Sequence, residues 1–137
     1  MANQPASQRD EKARLRAELM AATARHESEQ AQRLIDDFLI QAKQSGLPPV
    51  RLMARTFGGH LVKTDVTGWY LRNDHAVAIG LDGRYYQLVV PDQFAARLRG
   101  VKLAPAQPML VVGRGAKDGE TGSLKDFLAR VLRGEVA

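Results

Sequence analysis

Hydrophobic and polar residues alternate most regularly between Thr67 and Val90, and this stretch predicts three short antiparallel strands. Asp82-Gly83 lies between two apolar runs, a common signature of a two-residue type I′ hairpin turn. Asn73-Asp74 suits the other turn, because both side chains bond nearby backbone groups. The resulting register places on one sheet face the set Tyr70, Val77, Ile79, Tyr86 and Leu88. It places on the other face the more mixed set Trp69, Ala78 and Gln87.

Residues 8–45 contain no glycine or proline and predict a long helix, either continuous or broken near residues 25–29. Gly46 and Pro48-Pro49 end it. Its last part has a sharply apolar face that we expect to cover the sheet, formed by Ala31, Leu34, Ile35, Phe38, Leu39 and Ala42. A second helix is predicted over residues 123–133, with Ser123 as its N-cap, and residues 1–7 are predicted to be a disordered tail.

The remaining stretches complete a sheet region over residues 50–112. Val50 to Phe57 alternates like a strand with Val50, Leu52 and Ala54 inward, and Met109 to Val112 is apolar enough for a central strand. Asp92 is a candidate N-cap for a short helix that Gly100 ends. The fold class is therefore α+β: an antiparallel sheet of four to six strands, with the long N-terminal helix and the C-terminal helix packed against it, in one domain over residues 8–137.

The predicted long helix is longer than the domain is wide, so its N-terminal half cannot all lie on the sheet. A helix of this length spans about 50 Å at roughly 1.5 Å per residue, more than a compact domain of this size is wide. We therefore expect it to overhang and to offer a stripe of Leu15, Leu19 and Met20 to a partner, either a second copy or another protein. Trp69 and Tyr85, on the expected exposed sheet face, are the other predicted partner-binding residues. The simpler alternative is a solvated helix stabilised by charge pairs such as Glu29–Arg33.

The net charge of +5 adds an alternative to a protein partner. All of the excess lies in residues 50–137, which carry thirteen basic and eight acidic side chains. A nucleic-acid-binding module is therefore an alternative function. It would use the basic residues Arg51, Arg55, Arg72, Arg84, Arg97 and Arg99. The simpler interpretation is that scattered positive charge keeps the chain soluble.

The glycine-rich stretch from Val111 to Leu124 leads from a strand into a helix N-terminus, an arrangement that can bind an anion. The candidate residues are Gly113, Arg114, Gly115 and Lys117, within the loop from Gly113 to Gly122. The stretch matches neither the P-loop pattern nor the dinucleotide-binding pattern, because no lysine follows the right glycine and Asp118 takes the third glycine position. A small-anion or nucleotide binder is the second alternative.

The cysteine, histidine and serine content of the chain argues against several kinds of catalytic and metal site. There is no cysteine, so neither a disulfide nor a thiol nucleophile is possible, and the three histidines lie too far apart in sequence to suggest a metal site. No serine lies in a nucleophile elbow, and the N-terminus has no secretory pattern. We expect a cytoplasmic protein that is not an enzyme, binds no metal or cofactor and does not insert into a membrane. Its leading function is protein interaction, with self-association.

Overall fold

The structure, a computed structural model, describes residues 5–113 and 121–137. Within these residues the chain forms three helices and seven strands. Their bounds are α1 Ala6–Ser45, β1 Val50–Thr56, β2 Leu61–Tyr70, β3 Val77–Gly80, β4 Tyr85–Gln87, β5 Val89–Val90, α2 Phe94–Arg99, β6 Val111–Val112, β7 Gly122–Ser123 and α3 Leu124–Leu132. The predicted α+β class, with a long first helix and a C-terminal helix, is confirmed.

Helix α1 is continuous over 40 residues, which settles the question of a break near residues 25–29. It begins at Ala6, two residues earlier than predicted, because Pro5 at the N-cap accepts hydrogen bonds from the amides of Gln8 and Arg9. Residues 6 and 7 therefore do not belong to a tail, and the first four residues lie outside the described ones. The helix ends at Gly46 as predicted, in the left-handed conformation that favours glycine.

The main sheet has five strands in the order β4-β3-β2-β1-β5. Its pairs are antiparallel except β1 with β5, which is parallel, so the expectation of a purely antiparallel sheet is wrong in that one pair. Only Leu88 separates β4 from β5 in the chain. The Leu88 amide donates a hydrogen bond to the carbonyl of Ala76, the residue directly before β3. The Leu88 carbonyl accepts a hydrogen bond from the Arg55 amide of β1. One extended segment thus pairs with both edges of the sheet and curls it into a small barrel.

Closure of the sheet gives each of its faces an apolar cluster. Inside the barrel lie Leu52, Ala54, Val62, Ala78, Tyr86 and Leu88, with Ala96 of α2 at one end. Outside it, the helices cover Trp69, Leu71, Val77, Ile79 and Tyr85. The helical side of this second cluster comes from two elements. Helix α1 contributes Ala31, Ile35, Phe38 and Ala42, and α3 contributes Leu124, Phe127, Leu128 and Val131.

The hairpin between β3 and β4 differs by one residue from the predicted register. Ile79 pairs with Tyr85 rather than with Tyr86, because the turn has three residues instead of two. Gly83 donates its amide to the Gly80 carbonyl and adopts a φ of 78°, which is the three-residue turn that ends in a left-handed glycine. Tyr86 therefore enters the barrel, and Tyr85 faces the helices. Burial and a hydrogen bond from the Tyr86 hydroxyl to Asp82 raise the pKa of Tyr86 to about 12.

Strand β2 is a single strand over ten residues, and it carries a bulge opposite Leu52. The Thr64 hydroxyl donates to the Leu52 carbonyl, which replaces a ladder bond that the bulge removes. Asp65, pushed out of the ladder, accepts from the Leu103 amide through its side chain. The bulge therefore ties the extended segment after α2 to the barrel.

Three local predictions are wrong. Val111–Val112 does not form a central strand; it pairs with Gly122–Ser123 in a separate two-stranded sheet. Asp92 does not cap α2, whose N-cap is Gln93 without a side-chain bond, and Val50 is exposed at the start of β1. By contrast, Ser123 caps α3 as predicted, since its hydroxyl accepts from the Asp126 amide.

Gly68 and Gly80 face each other across β2 and β3, and this close approach generates a prediction. A Cβ at position 68 would lie 2.0 Å from the Ile79 carbonyl oxygen, a backbone atom that cannot move without opening the strands. We expect Gly68→Ala to lower the free energy of unfolding by at least about 2 kcal/mol, as overpacking does. Chemical denaturation measures this change.

Gly58→Ala is the matched control. There the three atoms nearest to the new Cβ all belong to the Asp92 carboxyl group, the closest at 3.1 Å, and that side chain can turn away. Equal losses of stability in the two variants would contradict the close strand approach at Gly68.

Candidate interaction surfaces

The N-terminal half of α1 is exposed along its whole length. Every residue from 5 to 26 is exposed, whereas the first buried residue of the helix is Ala31. Strong helix formers without glycine or proline allow this half to continue from the packed half, where the cost of nucleation has already been met. Residues 6–26, which we call the arm, therefore extend about 30 Å at ~1.5 Å per residue.

The three large apolar side chains predicted for a partner lie on the arm and are exposed. The exposed fractions are 50% for Leu15, 68% for Leu19 and 72% for Met20. Leu15 and Leu19 are one turn apart and share a face, and Met20 lies about 100° further round the helix. A single partner can contact all three only from the side that lies between Leu19 and Met20.

Trp69 and Tyr85 do not lie on an exposed sheet face, so this part of the predicted partner surface is wrong. Their exposed fractions are 9% and 7%. Trp69 pairs with Ile79 rather than with Ala78, so the register between β2 and β3 also differs by one residue from the predicted one, and Tyr85 pairs with the same Ile79. Both side chains therefore lie on the face that α1 covers. The Trp69 ring meets Phe38 edge-on, with 5.3 Å between the centroids. Burial raises the pKa of Tyr85 above its ordinary value. Both side chains hold α1 on the barrel.

The basic residues proposed for nucleic acid are divided among several surfaces. Arg51 and Arg55 are exposed on β1, and Lys63 on β2 lies on the same side, since Met53 of β1 pairs with it. Arg72 is buried and forms an ion pair with Asp74 at 3.0 Å, so its inclusion was wrong. The remaining candidates, Arg84, Arg97 and Arg99, are exposed elsewhere, on the hairpin and on α2.

Most of the predicted anion-binding loop lies outside the described residues. This applies to Arg114, Gly115 and Lys117, so the loop remains a prediction. Gly113 is described, with a φ of 85°, and its carbonyl accepts from the Thr121 hydroxyl. At the adjacent N-terminus of α3, one amide is already bonded to Ser123.

Sequence reasoning missed several other large apolar side chains that are exposed. Phe94 and Leu98, one turn apart on α2, are largely exposed, and so are Phe57 and Leu61 at the turn between β1 and β2. The i, i+4 spacing of Phe94 and Leu98 was the available signal. It favoured a buried face, but α2 is so short that only Ala96 reaches the barrel.

No group of three histidine, aspartate or glutamate side chains within residues 5–113 and 121–137 comes together to hold an ion. None of the helices in this part of the chain combines the length and the apolar composition needed to cross a bilayer.

Comparison of the chain with protein-family models, with curated proteins and with solved structures found no match. Function is therefore inferred from the exposed surfaces of the molecule.

Proposed function

We propose that this chain is a non-enzymatic protein-interaction protein that self-associates through the arm. The observation that supports the proposal is the exposure of residues 5–26, which include Leu15, Leu19 and Met20. A helix that serves only the core can end where its buried face ends. Here the helix continues for several turns beyond the barrel and carries large apolar side chains into solvent.

The energetic argument concerns these three side chains. Burying one large apolar side chain is worth about 1.5–3 kcal/mol, so a partner on the arm would gain several kcal/mol before the costs of association. Such a gain is modest, which fits a reversible contact.

The proposed location is the cytoplasm, where a chain without cysteine is at no disadvantage.

The first test is the solution mass by light scattering, at about 0.05 M and about 0.5 M salt, on either side of the range in which exposed charges become screened. We expect the wild-type protein to be a dimer at both salts. In Leu15→Glu/Leu19→Glu we expect a monomer, because burying two carboxylates should weaken association at least about 100-fold.

Ser7→Glu/Ala21→Glu is the control, since it adds the same two charges to exposed positions away from Leu15 and Leu19. It should remain a dimer. A wild-type protein that is monomeric at all concentrations and both salts would refute self-association.

The second candidate function is nucleic-acid binding by the outer face of β1 and β2. It is favoured by Arg51, Arg55 and Lys63, three exposed cations that share one sheet face with the partly buried Met53 and the exposed Leu61. Cations on a surface with apolar contacts can hold a phosphate backbone and nearby bases.

This candidate predicts binding to single-stranded or duplex nucleic acid that weakens steeply with salt. Three phosphate contacts give a slope of log K against log salt of about −2 to −3. Fluorescence anisotropy measures it. Arg51→Gln/Arg55→Gln/Lys63→Gln should abolish binding, whereas Arg14→Gln/Arg25→Gln/Arg33→Gln removes the same charge from α1 and should not. Equal loss in both variants would show that only net charge matters.

A further inference from the structure

We propose that two copies of this chain associate by antiparallel packing of their arms along one defined helix face. This inference rests on the proposed function, and it specifies the partner, the direction and the residues. The face follows the spacing of three and four residues along α1 and consists of Arg9, Lys12, Arg16, Leu19, Met20, Thr23, Glu27 and Gln30. We call it the arm face. At about 100° per residue, these positions lie within roughly 50° of a common line, and Leu15 lies about 90° from that line, at the margin of the face. The last two positions, Glu27 and Gln30, follow directly after the arm.

The arm face continues a face that already packs against a helix. With the same spacing, it leads from Gln30 to Leu34, Phe38 and Gln41, and these three residues form a groove with α3. Residues Leu128 and Leu132 of α3 line the other side of that groove. Helix α3 has only nine residues and lines this side of α1 from about Leu34 onward, whereas the arm face is exposed from Arg9 to Thr23 and half-buried at Glu27. The occupant that best fits the open part is another helix.

The charges on the arm face indicate which helix and in which direction. Its N-terminal half carries the cations Arg9, Lys12 and Arg16 and no acid, and its C-terminal half carries Glu27 and no cation. A parallel second copy would place each cation against its own counterpart, which is unfavourable. An antiparallel copy removes all three repulsions.

The antiparallel arrangement also matches the apolar residues. When Leu19 of one copy lies opposite Met20 of the other, the remaining positions follow. Arg16 then faces Thr23, and Arg9 faces Gln30. Lys12 faces Glu27, which gives one ion pair at each end of the interface. Glu27 already accepts a 3.3 Å hydrogen bond from the Leu110 amide, but a carboxylate has further lone pairs for a lysine.

The length of the arm fits the same register. Ala6, the first residue of α1, would lie opposite Arg33 of the second copy, one position before Leu34. The arm of each copy therefore ends where α3 of the other copy begins to cover α1.

Disulfide trapping tests the proposal cleanly, because the chain contains no cysteine of its own. Arg16→Cys and Thr23→Cys proteins are mixed, oxidised under mild conditions and analysed by mass spectrometry, which separates the mixed dimer from the two symmetric ones. We expect the mixed Arg16→Cys–Thr23→Cys dimer to exceed either symmetric dimer at least about tenfold. In the proposed register the identical positions are offset by about 10 Å, too far for a disulfide.

A second mixture, Glu18→Cys with Ala21→Cys, is the control for the face. These residues are even closer to the centre of the proposed register than Arg16 and Thr23 but lie on the opposite side of α1, so they should remain uncoupled. Light scattering on the cysteine-free protein runs in parallel.

Each other outcome overturns a defined part of the account. If the wild-type protein is a dimer but the cysteine variants form mainly the symmetric disulfides, the antiparallel direction is refuted and self-association stands. If the wild-type protein is a dimer but the variants form the control disulfide, or none, the arm face is refuted. A wild-type monomer would overturn both this inference and the proposed function.

Discussion

The packing of α1 on the outer face of the barrel is the interaction on which the rest of the structure depends. Ala31 and Ala42 are small enough to bring the helix close, and Ile35 and Phe38 fill the space over Trp69 and Ile79. Each fully buried side chain of the larger kind contributes about 1.5–3 kcal/mol. This contact fixes the direction of the helix, so it also determines where the arm points and which of its faces α3 leaves open.

The helix can pack in this way only because the sheet has two apolar faces. The continuous segment of β4 and β5 bonds both edges of the sheet, which separates an inner cluster around Leu52 and Tyr86 from an outer one around Trp69 and Tyr85. Adjacent tyrosines on one strand point to opposite faces. In an open sheet with one wet face, one of them would be exposed. In a closed sheet whose outer face is covered by helices, both are buried, and these two tyrosines stabilise the fold.

The sequence predicted the helices well and the sheet less well, for physical reasons. Periodicity, Gly46 and Ser123 are local signals, and the C-terminal end of α1 and the N-terminal end of α3 follow from them. The Asp82-Gly83 pair is compatible with a two-residue and with a three-residue turn, and the choice depends on which face the flanking residues can bury. That in turn depends on closure through Leu88, a long-range contact without a local signature. The exposure of the arm was predictable from length alone, whereas its open face required the position of α3.

Hydrogen–deuterium exchange of the wild-type protein, followed by mass spectrometry over a range of protein concentrations, tests the central claim most directly. The account predicts that amides in residues 9–27 exchange rapidly in dilute solution and become protected as the concentration rises. Amides around Ile35 and Phe38 should be protected throughout, because the barrel and α3 cover them at any concentration. Protection of residues 9–27 that does not change with concentration would contradict the claim that the arm is a free surface awaiting a second copy.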